Sequence, residues 1–202
     1  ISDIANCEDL MSLEGKAMMG ELSTGEIKCL EGRLTLSRTQ SERSKLSIVL
    51  INNAQNNGET ESWEFLIRRH LQRYDRSDPS LTFAFSIYLY QKGKTQYSEA
   101  LHWAEYTLEN KQRWASGADY VEKVYQLYKV RTILSTQLWI EAEAQLRKDK
   151  NPENQAYTEE MRALAKNNAR EWLDYARASN KPTKQAFDMC VSAAGDSTFC
   201  TY

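Results

Sequence analysis

The chain has 202 residues, enough to bury a real core as one domain or as two small ones. A hydrophobic share of 41% beside 27% charged residues is the balance of a globular protein. A net charge of −2 supplies no global field toward nucleic acid or an anionic membrane, and no apolar run nears the ~18 residues of a membrane span.

Sustained alternation at period two is absent, and the 8 glycines and 3 prolines punctuate long stretches of helical spacing. The chain therefore reads as all-α. In chain order the pattern predicts a short helix near residues 8–14, then helices near 24–38, 41–57, 60–75, 79–92 and 96–110. A turn around Trp114 follows, then two long helices near 118–148 and 153–178, and a terminal helix near 183–194. Asp78-Pro79 and Asn151-Pro152 set a capping residue before a proline at the first helical position. Gly58 and Gly93 read as helix stops. Short connections favour antiparallel hairpins, and with no Pro/Ser-rich linker the expectation is a single domain over 1–202. Its parts would be an N-terminal clip with the first helices (1–40), a run of hairpins (41–115), and long helices with a C-terminal clip (118–202).

Apolar faces follow at 100° per residue. Trp63, Leu66, Ile67, His70 and Tyr74 share one face of their helix, opposite Arg69, Arg73 and Arg76. The first long helix carries a stripe through Val121, Val124, Tyr125, Leu127, Tyr128, Leu134, Leu138, Trp139 and Ala142. The second carries Tyr157, Met161, Leu164, Trp172 and Tyr175. Helix 79–92 is apolar nearly all round, so it should be covered on several sides.

The four cysteines fall as two terminal pairs, Cys7 with Cys29 and Cys190 with Cys200. Sequence proximity favours those two disulfides, which would clip the chain ends and imply an oxidising compartment such as the bacterial periplasm. Free buried thiols remain an alternative; a metal site is disfavoured because no close C-x-x-C pair is present. The start at Ile1 rather than Met fits removal of a signal peptide or lipoprotein leader, which leaves room for a lipid anchor outside this chain.

The stretch FAFSIYLYQKGKTQYSEALHWAEYTL resembles a tetratricopeptide-repeat (TPR) hairpin. The roles of that unit fall here to Phe85-Ser86, Leu89, Gly93, Tyr97, Glu99-Ala100, Ala104 and Leu108. Two extra residues lie between Gly93 and Tyr97, Thr107 stands where alanine is usual, and the closing proline is missing. The clear match covers residues 83–108. The resemblance implies a stacked helical α-solenoid that binds protein or peptide through an inner face. With clipped ends, the chain is similar to periplasmic or outer-membrane-associated repeat proteins of Gram-negative bacteria, which serve pili, secretion systems and gliding machinery.

Candidate chemistry is sparse. Glu99 and His102 form one E-x-x-H, but a di-iron bundle needs a second copy, and the other histidine, His70, has Ile67 at that position. His70 lies on an apolar face and reads as a core residue. Two histidines on separate helices support no triad, and GKAMMG (15–20) lacks the lysine and hydroxyl of a phosphate loop. Arg68, Arg69, Arg73 and Arg76 sit among Glu59, Glu61, Glu64, Asp75 and Asp78, so a salt-bridged solvated face is expected.

Polar residues inside apolar stripes are costly to bury without partners. Arg131, Ser135, Asn168 and Asn53 are of this kind, and they would either pair internally or line a concave groove. If such a groove exists, its residues are expected to be Asn53, Tyr88, Arg131, Ser135 and Asn168. The expected function is a non-enzymatic scaffold or adaptor of an envelope assembly that binds protein or peptide. No cofactor, metal or nucleic acid is expected. A self-assembling structural subunit is the alternative, and a His/carboxylate enzyme a remote one.

Overall fold

The computed structural model describes residues 7, 9–114, 117 and 119–201. Among these residues there are nine α-helices, a few single 3-10 turns and no strand. The chain divides into two compact units, Ile1–Ser77 and Asp78–Tyr202, so the 41–115 segment read as one run of hairpins is shared between them.

The first unit contains α1 (Leu10–Met18), α2 (Thr24–Leu36), α3 (Gln40–Asn56) and α4 (Thr60–Arg73). Three of these begin at side-chain caps. The Asp9 side chain accepts from the Ser12 N–H, Ser23 and Glu26 form a reciprocal capping box, and Thr39 accepts from the Glu42 N–H. The first helix begins and ends later than its expected span of 8–14, because Gly15 lies inside it and Leu13 and Ala17 are both buried. It stops at Gly20, where φ is +70°. There the chain passes so close to the end of α3 that a Cβ would stand 2.7 Å from the Asn56 carbonyl carbon. The core joins Leu13, Leu22, Leu30, Leu34, Leu46, Val49 and Leu50, with Leu66 and Tyr74 packed against it.

The second unit contains α5 (Pro79–Lys92), α6 (Tyr97–Glu109), α7 (Tyr120–Lys148), α8 (Pro152–Ala178) and α9 (Lys184–Ala194). Helices α5 and α6 run antiparallel and close together. The Thr82 and Thr107 hydroxyls meet at 2.7 Å, and the Ser86 hydroxyl donates to the Ala100 carbonyl at 2.6 Å. Thr82, Phe85, Ser86 and Leu89 form the buried stripe of α5, while its other large residues are only partly covered. The all-round apolar helix is thus buried deepest along a stripe that includes its small hydroxyl residues, since these allow the closest backbone approach.

Helix α8 lies between α7 and α9. Its pairings with α7 run from Tyr125–Trp172 to Ser135–Asn168, the order of an antiparallel pair. The buried face of α8 includes Met161 and Trp172 of the expected stripe but leaves Tyr157 43% exposed, and it adds Ala165, Ala169, Leu173 and Ala176. A helix flanked on two sides buries a wide face, and alanine lets both neighbours approach. Cys190 and Cys200, bonded with 6.0 Å between Cα atoms, belong to this core, and Cys7 is bonded to Cys29 with 5.9 Å between Cα atoms. No helix among the described residues is long and apolar enough to cross a membrane.

Candidate functional site: an acidic-rimmed groove in the first unit

Three helices of the first unit enclose a cleft of about 400 Å³. Helix α2 contributes Ile27 and Glu31 one turn apart, and α3 contributes Leu50, Asn53 and Ala54. Helix α4 and the residue before it contribute Glu59, Glu61, Ser62, Phe65 and Leu66. The three- and four-residue spacings aim successive turns of each helix into one space.

The floor is apolar except for one amide. Leu50 and Ala54 are buried, and Asn53 is only 2% exposed. Its Oδ1 accepts from the Leu22 N–H at 3.1 Å, which fixes the amide plane and leaves the Nδ2 hydrogens without an acceptor among the described residues. Phe65 forms the lip and is 63% exposed. The Arg69 guanidinium lies 5.6 Å from its ring centroid and reaches Glu31 through two hydrogen bonds of 2.9 Å. That fork fixes the α2–α4 wall and neutralises Glu31. Glu59 and Glu61 are exposed on the rim and make no ion pair among the described residues. The lining contains no lysine or arginine.

A second cleft, of about 900 Å³, lies in the other unit between α7 and α9 and includes Tyr125, Lys129, Pro182 and Met189. Its charges largely cancel, because Lys181 pairs with Glu122 and Lys184 with Asp188. This cleft has no pronounced sign of charge, whereas the first is acidic.

The residues singled out from the sequence scatter. Arg131, Ser135 and Asn168 do come together between α7 and α8. Asn168 Nδ2 donates to the Ser135 hydroxyl at 3.1 Å, and that hydroxyl donates to the Arg131 carbonyl at 3.0 Å. The Arg131 guanidinium reaches Glu171 and lies over the Tyr128 ring. All three residues are buried, so these polar atoms join the two helices. Tyr88 is partly buried on α5, stacked on Phe85 with Lys92 over its ring. Asn53 belongs to the first unit and forms the floor of the groove.

Phe65 was not singled out, and Glu59 and Glu61 were read only as partners of the arginine cluster. The available signal was an aromatic residue just off the Trp63/Ile67 stripe with glutamates one turn before it. The basic cluster follows the expectation only in part: Arg68 pairs with Glu64, but Arg69 reaches Glu31 on α2, Arg76 Nε donates to the Leu71 carbonyl, and Glu59 and Glu61 pair with no cation among the described residues. His102 is exposed against the Trp103 ring edge, and His70 is fully buried beside Tyr74. Among the described residues no group of three or more His, Cys, Asp or Glu side chains could hold a metal.

Glu105, on α6, has its carboxyl pushed up by burial, partly offset by Arg131. Glu26 has its carboxyl pulled down to about 2, chiefly by the Lys16 ammonium hydrogen-bonded to it at 2.7 Å. Neither residue lines the groove. Neither a family model, nor a curated protein, nor a solved structure matches the chain.

Proposed function

We propose that the protein is a non-enzymatic, helical protein-binding module of an oxidising compartment, consistent with a bacterial periplasm or outer-membrane surface. The groove between α2, α3 and α4 carries this reading. A 63%-exposed phenylalanine at the mouth of an apolar cleft is a contact surface of the kind at which aromatic residues anchor partners. The cysteine pairs support the compartment, since such bonds persist where thiols are not kept reduced. The close α5–α6 pair, with Ser86 against Ala100, supports a TPR-like hairpin, and service to an envelope assembly rests on that likeness.

The test is photo-crosslinking in extract of the source cells, with a benzophenone amino acid at position 65 and, as control, at exposed Gln112 of the other unit. A discrete adduct at position 65 that is absent at 112 is expected. Equal, diffuse labelling at both positions would remove the binding reading.

A self-assembling subunit is the second reading, favoured by one observation. Met11, Met18, Met19 and Leu36 are each at least 60% exposed on the first unit. Sedimentation over a wide concentration range separates the two, since a species that stays monomeric at high concentration excludes self-assembly.

A further inference from the structure

We infer that the α2–α4 groove receives an apolar side chain carried on a lysine- or arginine-rich segment of a partner protein. Glu59 and Glu61 face the segment's cations, and the Asn53 amide donates to one of its carbonyl oxygens. The inference deepens the binding function proposed above and rests on it.

Two independent features select this occupant. The first is charge: Arg69 neutralises Glu31, while Glu59 and Glu61 stand on the rim with no cation paired to them among the described residues. A basic segment is drawn in and an acidic one meets like charge, an effect that salt weakens because the rim is exposed. The second is the amide. Asn53 is 98% buried by its 2% exposure, its oxygen is already committed to Leu22, and its free hydrogens are the floor's side-chain donor. That donor opens on the cleft, so a ligand covering it without an acceptor would pay for its lost hydration, and a segment carbonyl would satisfy it while the neighbouring side chain fills the space over Leu50, Ala54 and Phe65. A purely apolar ligand would cover the donor without satisfying it. A nucleic acid or anionic lipid would oppose the rim.

Three short fluorescein-labelled peptides of one design serve as probes: leucine/lysine, leucine/glutamine and leucine/glutamate. Each is titrated into the full chain and read by anisotropy and by the 15N-resolved side-chain amide of Asn53. The leucine/lysine peptide is expected to bind tightest and to shift the Asn53 amide. Its affinity should fall about tenfold in Glu59→Gln/Glu61→Gln, a change that steepens as salt is lowered. A loss of about tenfold or more is also expected in Phe65→Ala. These side chains are exposed, so the variants should fold as the parent does, which circular dichroism checks.

Equal shifts of Asn53 by all three peptides, or a preference for leucine/glutamate, overturn the basic-segment assignment while leaving a binding groove. A shift that depends on protein concentration without any peptide assigns the groove to a second copy and overturns the inference. No Asn53 shift with any peptide also overturns it, and the crosslink at position 65 then decides independently whether a protein occupies the groove.

Discussion

The approach of Gly20 to the end of α3 can be tested by adding one methyl group. In Gly20→Ala the new Cβ would stand 2.7 Å from the Asn56 carbonyl carbon, 2.8 Å from the Asn57 nitrogen and 2.9 Å from the Asn56 oxygen. All three are backbone atoms, so no side chain can swing away. Two costs combine: about 1–2 kcal/mol for an L-residue at φ +70°, and about 1–3 kcal/mol for forcing packed elements apart. Gly58 separates them. It has φ +78° but nothing within 4 Å of a built Cβ, so Gly58→Ala carries the first cost alone. The expected losses are thus about 2–5 kcal/mol for Gly20→Ala and about 1–2 kcal/mol for Gly58→Ala. A unit spanning Ile1–Ser77 is stable by only about 4–12 kcal/mol, so the larger loss would be conspicuous. Urea unfolding followed by circular dichroism, with hydrogen exchange at the buried Leu13 and Leu46 amides, localises the loss to α1 and α3. Equal losses in the two variants would refute the close approach.

Three further outcomes follow from the packing. Glu26 has its folded-state pKa lowered from 4.5 to about 2, so its contribution is complete above pH 4.5 and is lost as pH falls toward 2; the stability gap between parent and Glu26→Gln should close over that window, and a gap unchanged at its acid end would contradict the Lys16 contact. The Glu105 carboxyl is shifted the other way, so the folded state disfavours its ionised form; Glu105→Gln should raise the neutral-pH melting temperature slightly and Arg131→Met should enlarge that gain, as a double-mutant cycle of thermal melts would show. Removing the Cys190–Cys200 bond as Cys190→Ala/Cys200→Ala should cost about 2–4 kcal/mol in chemical denaturation, and a loss near zero would mean that the surrounding α8–α9 packing suffices alone.

Helix positions were legible because their signals are local. Caps such as Asp78-Pro79 and Asn151-Pro152, and stops such as Gly58 and Gly93, act within one turn, and α5 runs over the expected Pro79–Lys92. Helix α1 runs past its expected end at 14, because the buried pair Leu13 and Ala17 carries it beyond Gly15. The face of α8 was legible in part, since Met161 and Trp172 of the expected stripe are buried. Its alanines escape a pattern of large apolar residues, because only neighbours on two sides give Ala165, Ala169 and Ala176 their close-packing role. The candidate site was barely legible. Asn53 stood out as a polar residue in an apolar stripe, but Phe65 and the rim glutamates acquire meaning only once α2 and α3 supply the other walls.

By itself, then, the sequence determined the all-helical class, the helix order and the proximity that favours Cys7 with Cys29 and Cys190 with Cys200. Each is decided by interactions within a few turns or by chain distance. Only the tertiary structure decided where the chain divides, at Ser77 and Asp78. It also decided which polar residues are committed inside and which face an opening. Arg131, Ser135 and Asn168 meet between α7 and α8, while the Asn53 amide is left with free hydrogens at the foot of a groove. The physical reason is that the hydrogen-bond partners lie tens of residues apart, 33 positions for Asn168 with Ser135 and 31 for Leu22 with Asn53, and no local pattern specifies such a pairing.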